Sequence, residues 1–242
     1  MPTTIVVTGA SQGIGRAVAE GFARECAAAA TNDPARLALL ARSEDRLARV
    51  AEACRAAGAE AVAVLRCDVT DDDAVFEAAA SVRERLGTPD VVVSNAGRFE
   101  PGSLSGTSPE QFRRQVSVNL TSAFVVTKAF LGDMTTRGRG HLFYVASIAA
   151  RTAYADGAAY GAAKAGLANL ARVAREETKN AGVRVTTLLP GATRTPSWDG
   201  TDRPDERFMP PEDVAEALIG AWRLSERSVV EEVVLRPQQG DI

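Results

Sequence analysis

The chain has 242 residues, enough for one large domain or two small ones with a substantial buried core. Apolar residues make up 45 % and charged residues 24 %, a mixture that fits an ordinary soluble globular protein and excludes a disordered or collagen-like one. A formal net charge of −3 offers no overall attraction to nucleic acid or anionic lipid, and one histidine with three cysteines leaves little from which to build a Ser-His-Asp triad, a metal site or a disulfide framework.

Residues 4–8 form the first predicted strand, without a basic leader before it; no apolar run approaches the ~18 to 20 residues of a membrane span. A cytoplasmic protein is expected. Thr8-Gly9-Ala10-Ser11-Gln12-Gly13-Ile14-Gly15 then leads from this strand into a helix over 13–29. Glycines between a strand and a helix let the backbone approach a pyrophosphate, which the unpaired N–H groups and positive dipole end of the helix attract. No Lys-Ser/Thr pair follows, which argues against a nucleoside triphosphate loop and for a dinucleotide.

In dinucleotide folds an acid that holds the adenosine ribose stands about 20 residues further on, at the end of the second strand. Counting selects Asp33, but Thr31-Asn32-Asp33-Pro34 is turn chemistry ahead of the second strand, predicted over 37–41. The connection therefore carries an insertion over 27–34, and the strand ends at Leu40-Ala41-Arg42-Ser43. No acid stands there. Arg42 and the Ser43 hydroxyl suit a 2′-phosphate, which favours NADP(H) over NAD(H); the alternative is a solvated Arg42 and a Ser43 that only caps the next helix.

Further helices are predicted over 44–57, 71–86, 109–135, 157–181 and 211–224, and further strands over 61–66, 91–94, 142–147, 183–189 and 230–235. Such alternation builds a doubly wound parallel sheet of about seven strands with helices on both faces. No segment reads as a linker, so residues 1–242 form a single domain. Its Gly/Pro-rich loops over 97–109 and 191–211 each follow a strand end, where open α/β sheets bind ligands. Within the helix over 157–181, Tyr160 and Lys164 at i and i+4 share one face. A nearby ammonium favours the phenolate over the phenol, so this pair can exchange protons without histidine, although Tyr-x-x-x-Lys alone is often only a surface pair. His141, after Gly138-Arg139-Gly140, reads as a surface or turn residue at the sheet end opposite these loops. The cysteines read as packing residues.

Taken together, Thr8 to Gly15, Cys67-Asp68-Val69, Asn95-Ala96-Gly97, Asn119 in Val118-Asn119-Leu120, Ser147 in the fifth strand, Tyr160, Lys164 and Pro190-Gly191 resemble the short-chain dehydrogenase/reductase family over nearly the whole chain. The resemblance implies a Rossmann-type fold and an oxidoreductase with a catalytic set of Asn119, Ser147, Tyr160 and Lys164. Tyr160 would exchange a proton with the substrate oxygen, Ser147 would orient that oxygen, Lys164 would hold the nicotinamide ribose, and Asn119 would anchor a water chain. Gly9, Ser11, Gln12, Gly13, Ile14 and Gly15 would hold the pyrophosphate, and Arg42 and Ser43 the 2′-phosphate. Asp68 and Val69 would meet the adenine, Asn95, Ala96 and Gly97 would line the groove, and Pro190, Gly191, Thr193 and Thr195 would hold the carboxamide. Gln12 stands where many NADP-preferring members have a basic residue, and Ser94 replaces the first Asn of the usual Asn-Asn-Ala-Gly.

The insertion, the stretch Pro190 to Trp198 and the ending Val230 to Ile242 resemble the bacterial sepiapterin reductase branch. That points to a pterin ketone, with Ser147, Tyr154, Tyr160 and Trp198 at the substrate, Trp198 stacking on its flat ring or else packing the lid, and Phe99, Phe208 and Met209 as further wall candidates. Other small ketones, diketones and hydroxy acids remain open, as does a catalytically silent nucleotide-binding scaffold. Family members usually pair through the helices over 109–135 and 157–181, so a homodimer or homotetramer is expected.

Overall fold

The computed structural model describes residues 2–28 and 33–241. Residues 29–32 of the expected insertion, the expected end of the first helix at Ala29, and Ile242 lie outside the described residues. Strands β1 (Thr3–Thr8), β2 (Ala35–Ala41), β3 (Ala61–Arg66), β4 (Val91–Ser94), β5 (Gly140–Val145), β6 (Val183–Pro190) and β7 (Glu232–Leu235) form one sheet in the order β3-β2-β1-β4-β5-β6-β7. Every pairing is parallel. Each connection therefore has to cross a face of the sheet, and both faces become covered. Side chains alternate between those faces with a period of two. Ile5, Val7, Leu37 and Leu39 enter one core, and Val6, Ala38, Leu40 and Val92 the other.

Helices α1 (Gly13–Ala28), α2 (Glu44–Ala56) and α7 (Pro211–Trp222) bury apolar faces in the first core. A Cβ on Gly21 would stand 2.8 Å from Ile219 Cδ1, so that glycine lets α1 and α7 approach closely. Helices α3 (Asp72–Leu86), α5 (Ser122–Arg137) and α6 (Ala158–Thr178) bury theirs in the second. The chain order reverses at β1, whose neighbours are β2 and β4, and this switch opens a crevice at the carboxyl ends of the strands.

The helix expected over 109–135 is interrupted. Helix α4 (Pro109–Val116) starts with a Ser108–Gln111 capping box and Pro109, a π-helical turn follows over Ser117–Thr121, and α5 continues from it. Hydrophobic periodicity does not register one wide turn, which is set here by Asn119 reaching across to the Arg98 backbone.

The reading of His141 needs correction. It lies in β5 at the end opposite the crevice, as expected, but it is only 1 % exposed, stacked 3.9 Å from the Phe143 ring. Its Nε2 lies 2.8 Å from Thr186 Oγ1, and that hydroxyl donates to Val230 O at 2.6 Å. With its one proton already committed, Thr186 accepts from His141 Nε2–H, which fixes the tautomer and leaves Nδ1 buried without a hydrogen-bond partner among the described residues. Burial, with a smaller push from the Arg184 charge, drives the imidazole down to about 2.

Candidate active site

Where β1 and β4 end, their backbones are tied together by Thr8. Its hydroxyl accepts from the backbone N–H groups of Asn95 (3.0 Å) and Ala96 (3.1 Å) and donates to Val93 O (3.2 Å). Asn95 Nδ2 in turn donates to Thr8 O at 2.9 Å. Above this brace the glycine turn is folded back on itself. Gly9 and Gly13 have positive φ, and a Cβ on Gly15 would stand 2.4 Å from Gly9 O. The backbone consequently comes to the edge of the cleft at the start of α1, where a phosphate can meet unpaired N–H groups.

The cleft has a volume of about 680 Å³. It is lined by every residue expected to meet the cofactor except Gly15, which lies beneath the turn. A Cβ on Gly97 would stand 2.7 Å from Asn119 Oδ1 and 3.3 Å from Lys164 Nζ. The groove thus has room for a ligand because glycines stand where side chains would block it. At one end are Arg42, Ser43 and Asp68. Ser43 sits at the N-cap of α2 without a side-chain capping bond, and Arg42 before it is exposed. Asp68 accepts from Thr70 N (3.0 Å) and Oγ1 (2.8 Å); although burial pushes its carboxyl upward, these bonds and the Arg42 charge hold it below the usual range.

At the other end the four expected catalytic side chains converge, although Ser147 lies past the end of β5 and not in it. It caps a short 3₁₀ turn over Ile148–Ala150, with Oγ accepting from Ala149 N at 3.2 Å. Ser147 and Tyr160 line the same end of the cleft. Lys164, 3 % exposed, donates from Nζ to Val145 O at 2.9 Å and sits 5.6 Å from the centre of the Tyr160 ring. Asn119 Nδ2 donates to Arg98 O (2.8 Å) and faces Gln115 O and Oε1 (3.1 Å each), while Oδ1 accepts from Arg98 N (3.1 Å).

Burial dominates: it pushes the Tyr160 phenol up to about 12, with Ser147 opposing and Tyr154 adding to the rise. Burial also pulls the Lys164 ammonium down to about 8.

Over this centre lie aromatic rings. Phe99 meets Tyr160 edge-on at 5.1 Å and Tyr154 at 6.4 Å, and all three line the cleft. Trp198 lines it too while packing edge-on against Phe208 at 5.1 Å, as expected of a residue that packs the lid. Phe208 and Met209 are buried behind the wall and support it without lining it. Arg194 braces this lid through Asp205 (2.8 Å), Trp198 O (3.2 Å) and the Phe208 face. Thr193 is buried, its hydroxyl spent on Gly191 O at 3.0 Å.

Several cleft residues escaped the sequence reading. Arg46 stands four residues after Arg42, a spacing visible in the chain once the strand end is placed. Gln115, Glu100 and Asp241 carry no local signal; chain segments far apart bring them to the cleft.

The short chain dehydrogenase family matches residues 3–206. The chain is 35 % identical to the sepiapterin reductase of Chlorobaculum tepidum over 245 aligned positions, covering 100 % of this chain and 99 % of that one. It is 36 % identical to the cis-4-hydroxycyclohexanecarboxylate dehydrogenase of Sinomonas cyclohexanicum, covering 88 % and 86 %. Among solved structures, the alcohol dehydrogenase of the archaeon Thermococcus sibiricus, complexed with 5-hydroxy-NADP, superposes with a TM-score of 0.88 at 33 % identity, covering 98 % of this chain and 97 % of that one. The chain belongs to the short chain dehydrogenase family and is an NAD(P)-dependent oxidoreductase.

Proposed function

We propose that this oxidoreductase uses NADP(H) to reduce the carbonyl of a small molecule, with a pterin side-chain ketone such as sepiapterin as the leading substrate. The observation that carries this reading is the convergence of Asn119, Ser147, Tyr160 and buried Lys164 at one end of a dinucleotide-sized cleft, with Lys164 Nζ 5.6 Å from the centre of the Tyr160 ring. The glycine cradle fits a pyrophosphate, and Arg42 with the free Ser43 hydroxyl fits a 2′-phosphate. The dinucleotide, when bound, supplies hydride.

The chain's own residues handle the proton. Tyr160 donates it to the carbonyl oxygen as negative charge develops there, and Ser147 donates a hydrogen bond to the same oxygen. Loss of the proton leaves a phenolate, which is unfavourable at a site where the phenol titrates near 12. Lys164, titrating near 8 and so largely cationic at neutral pH, offsets that charge. Asn119 holds the Arg98 loop beside Lys164 and anchors the water chain that returns the proton. Asp68 and Val69 hold the adenine, and Pro190, Gly191, Thr193 and Thr195 hold the nicotinamide carboxamide.

The pterin reading is supported by the full-length similarity to the Chlorobaculum tepidum protein and by the aromatic residues Phe99, Tyr154 and Trp198 along the cleft wall. Oxidation of a ring hydroxy acid is the second reading, favoured by the similarity to the Sinomonas cyclohexanicum dehydrogenase. Following NADPH consumption with sepiapterin, diacetyl, 3-oxoacyl esters and simple aldehydes tests the first. The highest turnover is expected with sepiapterin; reduction of another carbonyl with none of sepiapterin removes the pterin assignment.

The same proposal includes a homo-oligomer and a cytoplasmic location. Phe112 on α4, Phe124 on α5 and Val173 on α6 are large and exposed, while Cys26, Cys54 and Cys67 are free, buried thiols. Sedimentation is expected to show a dimer or tetramer for the wild type and a smaller species for Phe124→Asp; a monomeric wild type removes the oligomer.

A further inference from the structure

The glycine turn that would cradle the phosphates carries no cation of its own. Arg16, one turn into α1, is committed to Glu20 at 2.7 Å, and Gln12 presents only a neutral amide. That amide is occupied. Arg46 Nη1 donates to Gln12 Oε1 at 2.8 Å, across 34 positions of the chain. Arg46 is exposed, yet its guanidinium bonds back into the cleft wall instead of pairing with an acid. Acids are close by in the chain, since Glu44 and Asp45 form the first turn of α2, but neither makes a salt bridge with Arg42 or Arg46 among the described residues.

Gln12, Arg42, Ser43 and Arg46 therefore make one end of the cleft; among the described residues neither guanidinium is in a salt bridge, although the Arg42 charge acts on Asp68, and the Ser43 hydroxyl makes no capping bond. A planar guanidinium with its fork still open is the group best matched to a phosphate dianion. We infer that Arg46, anchored by Gln12, is a second 2′-phosphate ligand and shares with Arg42 the choice of NADP(H) over NAD(H). The inference rests on the NADP(H) reading above. In this chain the cation missing from the glycine turn is delivered from α2, and Gln12 serves as its anchor.

Direct binding titrations with NADPH, NADH and 2′,5′-ADP test this, because only the first and third carry a 2′-phosphate and only the first two a pyrophosphate. Arg46→Ala is expected to weaken NADPH and 2′,5′-ADP by roughly ten- to a hundredfold and to leave NADH within about twofold. Gln12→Ala is expected to weaken NADPH less, since Arg46 keeps its charge and loses only its anchor. Thermal melting of Arg46→Ala at the wild-type temperature shows that an exposed side chain was removed without unfolding the protein. A wild type that prefers NADPH together with an Arg46→Ala variant that binds it equally well overturns the role of Arg46 alone. Equal weakening of NADPH and NADH places Arg46 at the pyrophosphate and also overturns it. A wild type that binds NADH as tightly as NADPH overturns the cofactor reading and this inference together.

Discussion

Tyr160→Phe is expected to lower turnover of a confirmed substrate by roughly a hundred- to ten-thousandfold, the range that general acid catalysis contributes, while NADPH binds within about twofold of wild type. The hydroxyl removed is the proton donor of the proposed mechanism, and the ring that remains keeps its edge contact with Phe99 at 5.1 Å. The cleft walls are thus preserved and only the proton donor is lost. Steady-state rates combined with a fluorescence titration of NADPH separate the two effects. A scaffold that merely binds nucleotide would show no turnover in either form, and undiminished turnover in the variant would falsify the tyrosine mechanism. Ser147→Ala follows the same logic with a smaller loss, because the proton donor stays and only an oxyanion partner goes.

Acid sensitivity is expected to come in large part from one buried imidazole. His141 titrates near 2 in the fold and near its ordinary value of 6.5 when unfolded. A depressed pKa means that the unfolded chain binds the extra proton and the folded one does not. Stability is therefore full above about pH 6.5 and falls by about 1.4 kcal/mol for each pH unit below it, until the folded pKa near 2 is reached. Between pH 7 and 5 this amounts to about 2 kcal/mol. Urea unfolding of wild type and His141→Gln at both pH values isolates it, since the carboxylate contributions cancel in the comparison. The wild type is expected to lose about 2 kcal/mol more than the variant over that interval. Because the chain has one histidine, its imidazole proton resonances report the same group directly, and a titration midpoint near 6.5 in the folded protein would sink the assignment.

These two residues also show how far the chain could be read without coordinates. Tyr160 was legible because a helix carries i and i+4 onto one face wherever it lies, and Arg42 because parallel strands deliver their carboxyl ends to a common edge. His141 was misread because Gly138-Arg139-Gly140 has turn composition. Its burial is imposed by Phe143 beside it in β5 and by Thr186 and Val230, which lie more than forty residues away. Ser147 was placed in a strand because Leu142 to Ala146 is an unbroken apolar run, whereas pairing with β6 stops at Val145 and frees the chain to turn. The wide turn at Asn119 likewise answers to a bond with the Arg98 loop and has no periodic trace.

Composition, period-two and period-3.6 patterning and the glycine turn by themselves pointed to a parallel α/β sheet of about seven strands and to the edge where such sheets bind ligands, while most of the expected site residues came from the resemblance to short-chain dehydrogenases. Those features depend on local backbone preference and on which face of an element is apolar, both of which are written along the chain. The tertiary structure alone decided the rest: that Lys164 is buried beside Tyr160; that Phe208 and Met209 back the wall without lining it; and that Arg46 bends to Gln12. The physical reason is that desolvation, and the single hydrogen bond chosen from several within reach, depend on neighbours contributed by distant segments and exist only once the sheet has brought them together.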